Sequence, residues 1–170
     1  MKFTFVGLLA TVLFLQPLPS TSNRGESPTN TFDSLTVSLR WPWSKRIAES
    51  FVLRHPGAVT YDSLSPSEKW NYEQGLMLEA LHQMWLFSKD KRYFEFIKGN
   101  IDLYVEESGA IKTYKYDDFN IDNVAVGRAL LMLSEKTGEK KYKWAADTLR
   151  RQLKNQPRTL EGGFWHKKIY

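Results

Sequence analysis

Apolar residues recur with helical spacing along most of this chain, beginning near Trp41. Pro42 suits the first turn of a helix, and the apolar stripe that follows it ends at the His-Pro-Gly sequence over 55–57. The next helix is predicted to open at Ser65, an N-cap residue with Glu68 three positions later. Apolar residues cover most of its circumference, which predicts burial on several sides. These residues are Tyr72, Leu76, Met77, Ala80, Leu81, Met84 and Trp85.

A nearly all-apolar helix followed by an amphipathic one occurs twice. An amphipathic helix follows Asp90, and the couplet repeats as an apolar segment over 121–137 and an amphipathic segment over 140–155. The two copies also echo each other in sequence. Gly75 begins Gly-Leu-Met-Leu-Glu-Ala-Leu, and Gly127 begins Gly-Arg-Ala-Leu-Leu-Met-Leu. Helical hairpins repeated at about 50 residues predict an all-α fold.

Such hairpins assemble either as an open solenoid, which serves protein binding, or as a closed toroid with an inner and an outer ring of helices. Tyr93 and Tyr142 occupy equivalent places near the start of the two amphipathic helices. The contrast between all-apolar and amphipathic helices favours the toroid. Its inner helices would converge on a central cleft, where the loops over 109–120 and 156–168 present polar groups.

The first 40 residues follow a different pattern. Met1-Lys2 precedes an almost wholly apolar run over 3–15, and Pro and Ser residues follow, which predicts a signal peptide over 1–22. The alternative, a membrane anchor, needs roughly 20 apolar residues. Residues 23–40 are rich in Ser, Thr, Asn and Pro and predict a linker. An exported chain without cysteine is expected to be a secreted or periplasmic bacterial protein.

Composition narrows the class of partner. The formal net charge is +5, but the basic residues are interleaved with acidic ones, so nucleic-acid binding is not expected. Nor is a membrane contact expected once the signal peptide is cleaved. His55 and His82 lack metal-ligand spacing, and no metal site is predicted. Six Trp, eight Tyr and ten Phe either fill the core or offer stacking faces to sugar rings.

The C-terminal run Gly-Gly-Phe-Trp-His-Lys over 162–167 has the chemistry of a cleft wall. Glycines allow a close approach of the backbone, and Trp165, His166 and Lys167 bring a stacking face, a titratable donor and a cation. Because natural domains rarely end within such a run, residues 41–170 are expected to be the N-terminal part of a larger domain.

Four segments occur in an order and spacing that point to a known family. They are Trp70-Asn71-Tyr72-Glu73-Gln74-Gly75, Asn120-Ile121-Asp122-Asn123, Gly127-Arg128, and Gln156-Pro157-Arg158-Thr159 followed by the Gly-Gly-Phe-Trp-His-Lys run. Over 41–170 the chain resembles the unsaturated rhamnogalacturonyl hydrolases of glycoside hydrolase family 105. More distantly, it resembles the unsaturated glucuronyl hydrolases of family 88.

This resemblance implies an (α/α)6 barrel of six hairpins, incomplete in this chain. It also implies action on oligosaccharides left by polysaccharide lyases of rhamnogalacturonan or pectin, whose non-reducing end is an unsaturated uronic acid. In that chemistry an aspartic acid protonates the C4=C5 bond at C4, water adds at C5, and the hemiketal collapses. Neither a metal nor an organic cofactor is implied.

The resemblance also assigns roles to individual residues. Asp122 matches the family's first active-site aspartate and is the catalytic candidate, although an Asp in the first turn of a helix is also favoured by the helix dipole. His166 and Lys167 match residues that line the subsite for the unsaturated uronate. A cation beside the uronate carboxylate is electrostatically favourable.

Three further residues match the family as candidates for substrate binding. Tyr72 and Trp70 would stack on or hydrogen-bond to the substrate, but Trp70 is equally well interpreted as a core aromatic on a buried helix. Arg128 lies one and a half turns beyond Asp122 and either orients that carboxylate or pairs with another one.

The family pattern is expected to continue past Tyr170 into a Gln-Met-Trp-Leu-Asp-Gly-like segment that carries the principal acid/base aspartate. The chain as given is therefore expected to lack catalysis and to expose apolar faces of its inner helices. Two alternatives stay open: a helical-repeat binding or scaffold module without catalysis, and another toroidal glycosidase or sugar epimerase. The oligomeric state and the released sugar are not predicted.

Overall fold

The computed structural model describes residues 37–59 and 69–168. This part of the chain has five α-helices: α1 Trp43–Arg54, α2 Tyr72–Ser88, α3 Lys91–Asp102, α4 Gly127–Thr137 and α5 Lys140–Asn155. Two 3₁₀ turns, Tyr116–Asp118 and Ile121–Val124, lie between α3 and α4. The described residues form isolated β-bridges but no strands. The all-α prediction is confirmed, while the predicted signal peptide and most of the linker lie outside the described residues.

The helices pack as hairpins. Helix α2 pairs with α3 and α4 pairs with α5, while α2 and α4 lie side by side and α1 packs on α2. The connections within the hairpins are tight. Lys89 ends α2 with φ 58°, and Gly138 ends α4 with φ 73°, a left-handed conformation that glycine adopts without a Cβ penalty. The predicted couplets are confirmed.

The start of α2 differs from the sequence-based expectation. Ser65 and Glu68 lie outside the described residues, and α2 begins at Tyr72. The Gln74 N–H donates to the Asn71 side chain (3.3 Å), and the Asn71 N–H donates to the Gln74 side chain (3.2 Å). This reciprocal capping box gives hydrogen-bond acceptors to two backbone N–H groups at the start of α2. The predicted start at Ser65 is therefore wrong for α2.

The segment predicted as one helix over 121–137 consists of two elements. A 3₁₀ turn, Ile121–Val124, comes first, and α4 begins only at Gly127. The break lies where this segment passes α2. A Cβ placed on Gly75 would come within 2.6 Å of the Ala125 carbonyl carbon. Gly75 does not have a positive φ, so backbone conformation does not explain the glycine. Lack of space for a Cβ at this crossing does.

Two tyrosines tie α3 to α1 and α5 to α3. Tyr93 and Tyr142 are fully buried. The Tyr93 hydroxyl donates to Glu49 Oε1 on α1 (2.7 Å), and the Tyr142 hydroxyl donates to Asp102 Oδ1 on α3 (2.7 Å). Each tyrosine is the third residue of its helix. The repeat seen in the sequence is therefore also a repeat of contacts.

Helix α2 is buried on only part of its circumference. Leu78 and Leu81 are buried, whereas Leu76 and Phe87 are 66% and 81% exposed. The expectation of burial on several sides is therefore wrong in the described structure. The expected exposure of apolar faces on inner helices is confirmed at Leu76 and at Leu131 of α4. None of the described helices is long and apolar enough to cross a membrane.

Candidate functional site

Asp122 and His166, which belong to motifs far apart in the sequence, lie side by side in the structure. His166 Nε2 is 3.0 Å from Asp122 Oδ2, and both side chains reach solvent. The Asp122 N–H donates to the Asn120 side chain (3.2 Å), which caps the 3₁₀ turn and fixes the backbone of Asp122. An imidazole Nε2–H that faces a carboxylate orients both groups. This contact, called the Asp122–His166 pair below, is the centre of the candidate site.

The backbone joins the same two segments. The Ile121 N–H donates to the His166 carbonyl (3.0 Å), and the Lys168 N–H donates to the Asp118 carbonyl (3.1 Å). Two main-chain bonds therefore flank the side-chain contact. The relative position of the two segments does not depend on the side-chain contact alone.

A tight turn brings the chain back to His166. Gly162 has φ 85°, in the left-handed region that favours glycine. A Cβ there would meet nothing within 4 Å, so conformation and not space explains the residue. The Thr159 N–H donates to the Gly163 carbonyl (2.8 Å) across the turn. The first glycine of the predicted cleft wall thus shapes the loop that carries His166.

Exposed aromatic and cationic groups flank the Asp122–His166 pair in sequence. Trp165 and Phe164 are 40% and 43% exposed. The Arg158 guanidinium lies 3.5 Å from the centre of the Phe164 ring. Lys167, predicted to bind the uronate carboxylate, is partly buried. The loop therefore offers exposed aromatic surface and positive charge to a ligand.

Trp70 belongs to the core. Its side chain is 3% exposed, its indole N–H donates to the Asn123 carbonyl (2.8 Å), and its ring packs edge-on against Tyr104. The Trp70 main-chain N–H donates to the Thr113 hydroxyl (2.9 Å). The predicted contact with substrate is therefore corrected: the indole is buried and its donor is used. Trp70 supports the turn that carries Asp122 from behind.

Tyr72 and Arg128 line a cleft of about 320 Å³ between α2 and the start of α4. Tyr72 is 48% exposed, and Ala125 contributes to the same wall. Arg128 Nη1 lies 3.9 Å from Glu79 Oε1, with the Arg128 side chain 77% exposed. Of its two predicted roles, pairing with another carboxylate is the one observed, since Asp122 faces His166 instead.

The other two histidines lie elsewhere. His55 stacks on Phe51 just after α1 (4.5 Å between ring centres), and burial together with the neighbouring Arg54 charge lowers the pKa of His55. His82 Nδ1 lies 3.8 Å from Glu79 Oε2. Within residues 37–59 and 69–168, no group of three or more His, Cys, Asp or Glu side chains could hold a metal ion.

Sequence reasoning missed two buried glutamines of α5 and its cap. Gln152 and Gln156 are 0% and 3% exposed. The Gln156 amide donates to the carbonyls of Phe119 (2.6 Å) and Trp165 (2.7 Å). The signal that could have found them is their spacing of three and seven residues from Leu149, which places them on the buried stripe.

Comparison with known proteins agrees with this architecture. The pattern of Glycosyl Hydrolase Family 88 matches residues 43–170. The chain is also similar to a solved glycoside hydrolase of family 105 from C. acetobutylicum ATCC 824, with 35% sequence identity and a TM-score of 0.66. The match covers 76% of this chain and 34% of that one. The paired helices are therefore part of an (α/α)6 barrel, and the chain belongs to Glycosyl Hydrolase Family 88.

Proposed function

We propose that this chain contributes to a glycoside hydrolase that acts on lyase-generated rhamnogalacturonan or pectin oligosaccharides. Its substrate carries an unsaturated uronic acid at the non-reducing end. The observation that supports this proposal most strongly is the 3.0 Å contact between Asp122 and His166. A carboxylate and an imidazole that converge at solvent-accessible positions suit proton transfer.

The proposed reaction is hydration of the C4=C5 bond. A carboxylic acid delivers a proton to C4, water adds its oxygen to C5 and loses a proton to a base, and the hemiketal opens to release the neighbouring sugar. Asp122 contacts the sugar and supports these proton transfers, and His166 orients the Asp122 carboxylate. No metal or organic cofactor enters the scheme.

Substrate recognition in this proposal uses the groups around the pair. Lys167 places a cation next to His166, where it would pair with the uronate carboxylate. Trp165 is 40% exposed and offers a ring face to a sugar. Tyr72 and Arg128, on the wall of the cleft between α2 and α4, contact more distant parts of the oligosaccharide.

The test begins with the coding DNA on the 3′ side of the Tyr170 codon. The protein encoded by the full reading frame is assayed for loss of the ultraviolet absorbance of the C4=C5 bond in a lyase-generated rhamnogalacturonan disaccharide. Asp122→Asn is expected to lower kcat by about 10²-fold or more. Asp147→Asn, an identical change at a surface ion pair of α5, is the matched control and is expected to have no effect.

A helical-repeat binding or scaffold module without catalysis is the second candidate. It is favoured by the exposed leucines of the two inner helices, Leu76 and Leu131. A stop codon directly after Tyr170, with a folded product that leaves the double bond intact, would contradict hydrolysis and support this module. Export to the periplasm or cell exterior is proposed alongside hydrolysis, on the signal-peptide pattern over 1–22.

A further inference from the structure

We propose that Gln156 is a positioning residue that holds Asp122 and His166 in contact, and that Gln152 and Tyr114 hold Gln156 in place. Both amide protons of Gln156 are used. One bond reaches the Phe119 carbonyl (2.6 Å), and the other reaches the carbonyl of the residue before His166 (2.7 Å). A single buried amide therefore bridges the two segments that carry the Asp122–His166 pair.

The amide is held by partners on α5 and on the segment between α3 and α4. The Gln152 amide donates to the Gln156 side-chain oxygen (3.1 Å) and to the Asn120 carbonyl (2.9 Å). The Tyr114 hydroxyl donates to the Gln152 side-chain oxygen (2.8 Å). Buried polar groups whose bonds are all made form rigid networks. Helix α5 and its C-cap thus serve as the fixed base of the arrangement.

The segment before Asp122 needs such support. Phe119 has φ 46°, in the left-handed region that a bulky side chain disfavours. The 3₁₀ turn that follows is only Ile121–Val124, too short to hold a conformation by itself. The side chains of Asp122 and His166 are 33% and 51% exposed, and an exposed pair contributes little to holding its own geometry. The buried Gln156 amide adds a constraint to the two main-chain bonds between the segments, from the protected side of the loop.

The chemistry of the amide separates this role from space filling. Methionine at position 156 keeps the length and volume of the side chain but removes both donors. Glutamate keeps the shape and turns the donors into acceptors that face the Phe119 and Trp165 carbonyls. A residue that only fills space would tolerate methionine.

The experiment compares the 170-residue chain with its Gln156→Met variant, without any substrate. Amide hydrogen exchange is followed at Ile121, whose N–H donates to the His166 carbonyl. The imidazole nitrogens are observed by NMR after ¹⁵N-histidine labelling, which is practical because the chain has three histidines. Gln83→Met, on the exposed face of α2, is the matched control.

The expected result is local. Exchange at Ile121 accelerates about fivefold or more, because the variant loses at least one hydrogen bond that holds this segment. The His166 ring changes from a single Nε2–H tautomer to a mixture, while the amides in the buried middle of α4 and α5 keep their protection. The Gln83→Met control changes neither signal.

A milder variant keeps the test decisive if Gln156→Met does not fold. Tyr114→Phe removes one hydroxyl from a half-buried ring, and a smaller change of the same two signals is expected. Unchanged Ile121 exchange and an unchanged His166 ring in a folded variant would overturn the proposal. The inference rests on the proposed function only for its catalytic meaning. Both readouts are independent of turnover, so failure of the hydrolase assay and failure of this test are distinguishable.

Discussion

The α2–α3 and α4–α5 hairpins share one plan but differ in the chemistry at equivalent places. In the first, Tyr93 bonds to Glu49, a carboxylate with a fully buried side chain, and Arg92 lies 3.2 Å from the same oxygen. Glu49 Oε2 has no hydrogen-bond partner among the described residues. Because Glu49 is fully buried, bulk solvent does not reach its carboxylate to replace a lost contact.

In the second hairpin, Tyr142 bonds to Asp102, whose side chain is 32% exposed. Lys98 Nζ lies 2.8 Å and Lys141 Nζ 3.0 Å from its two oxygens. Loss of one partner leaves two others and solvent. The two hairpins therefore share the same contact geometry, but their stability does not depend equally on it. Burial of the carboxylate acceptor decides how much free energy of unfolding is lost when the tyrosine contact is removed.

Glu49→Ala should show the largest effect. It removes the acceptor of the buried Tyr93 hydroxyl and the partner of Arg92, and leaves a cavity, so the free energy of unfolding should fall by about 3 kcal/mol or more. Urea titration followed by circular dichroism measures the change. Glu95→Ala, at an exposed position of α3, should cost less than about 0.5 kcal/mol. Equal costs for the two variants would refute the dependence on burial.

The equivalent glycines should respond in opposite directions. A Cβ on Gly75 would meet the Ala125 backbone at 2.6 Å, whereas one on Gly127 would meet only a Leu149 methyl at 3.6 Å. Gly75→Ala should destabilise by about 1–3 kcal/mol through overpacking. Gly127→Ala should be neutral or stabilising by up to about 1 kcal/mol. Thermal unfolding of the two variants side by side checks the sign, and a stable Gly75→Ala variant would contradict the close crossing.

Removal of each tyrosine hydroxyl compares the Tyr93–Glu49 and Tyr142–Asp102 junctions directly. Tyr93→Phe should cost about 1–3 kcal/mol, because Glu49 keeps a buried acceptor without its neutral donor. Tyr142→Phe should cost about 1 kcal/mol or less, because Asp102 retains both lysines. The midpoints of urea unfolding give the difference. A larger loss for Tyr142→Phe would mean that solvent access to Asp102 does not compensate.

The smallest effect is expected from Asp102, in the decline of folding stability at acid pH. Burial alone would raise the pKa of Asp102, but hydrogen bonds from Lys98, Tyr142 and Lys141 outweigh it and hold the pKa below the usual 3.8. A depressed pKa stabilises the folded state above that usual value, and the contribution is lost as pH falls through the folded value. Partial exposure of Asp102 limits it to about 1 kcal/mol or less.

Asp102→Asn should therefore flatten the decline of the melting temperature toward acid pH. The change is measured from neutral pH down through the carboxylate range, at low and high salt, since screening weakens the ion pairs. Asp147→Asn on α5 is the control for an exposed Asp–Lys pair. An acid limb identical to that of the unmodified chain would show that Asp102 is not linked to folding.

Local pattern predicted the helices well where packing agrees with it. The amphipathic period over 140–155 reproduced the bounds of α5, and the helix expected after Asp90 begins at Lys91. It failed at α2, where the caps at Ser65 and Asn71 have similar local strength. Long-range bonds of Trp70 to Thr113 and Asn123 fix the backbone directly before α2.

The candidate site was predicted in part. Motif resemblance identified Asp122 and His166, which the structure brings into contact. It could not decide the place of Trp70, because an aromatic side chain beside a buried helix suits both a core and a sugar-binding face. Nor did it assign a role to Gln156, whose partner Phe119 is 37 residues away in the chain. The helical period from Leu149 indicates that Gln156 is buried, but no local pattern names its partner.

The tyrosine junctions also bear on the order in which the chain assembles during synthesis. Each hydroxyl donor lies 44 or 40 residues after its carboxylate acceptor. The acceptor helix therefore leaves the ribosome first, and every new amphipathic helix meets a partner that is already made. Hairpins can dock one after another on the existing structure, because each carboxylate acceptor precedes the whole helix that carries its tyrosine.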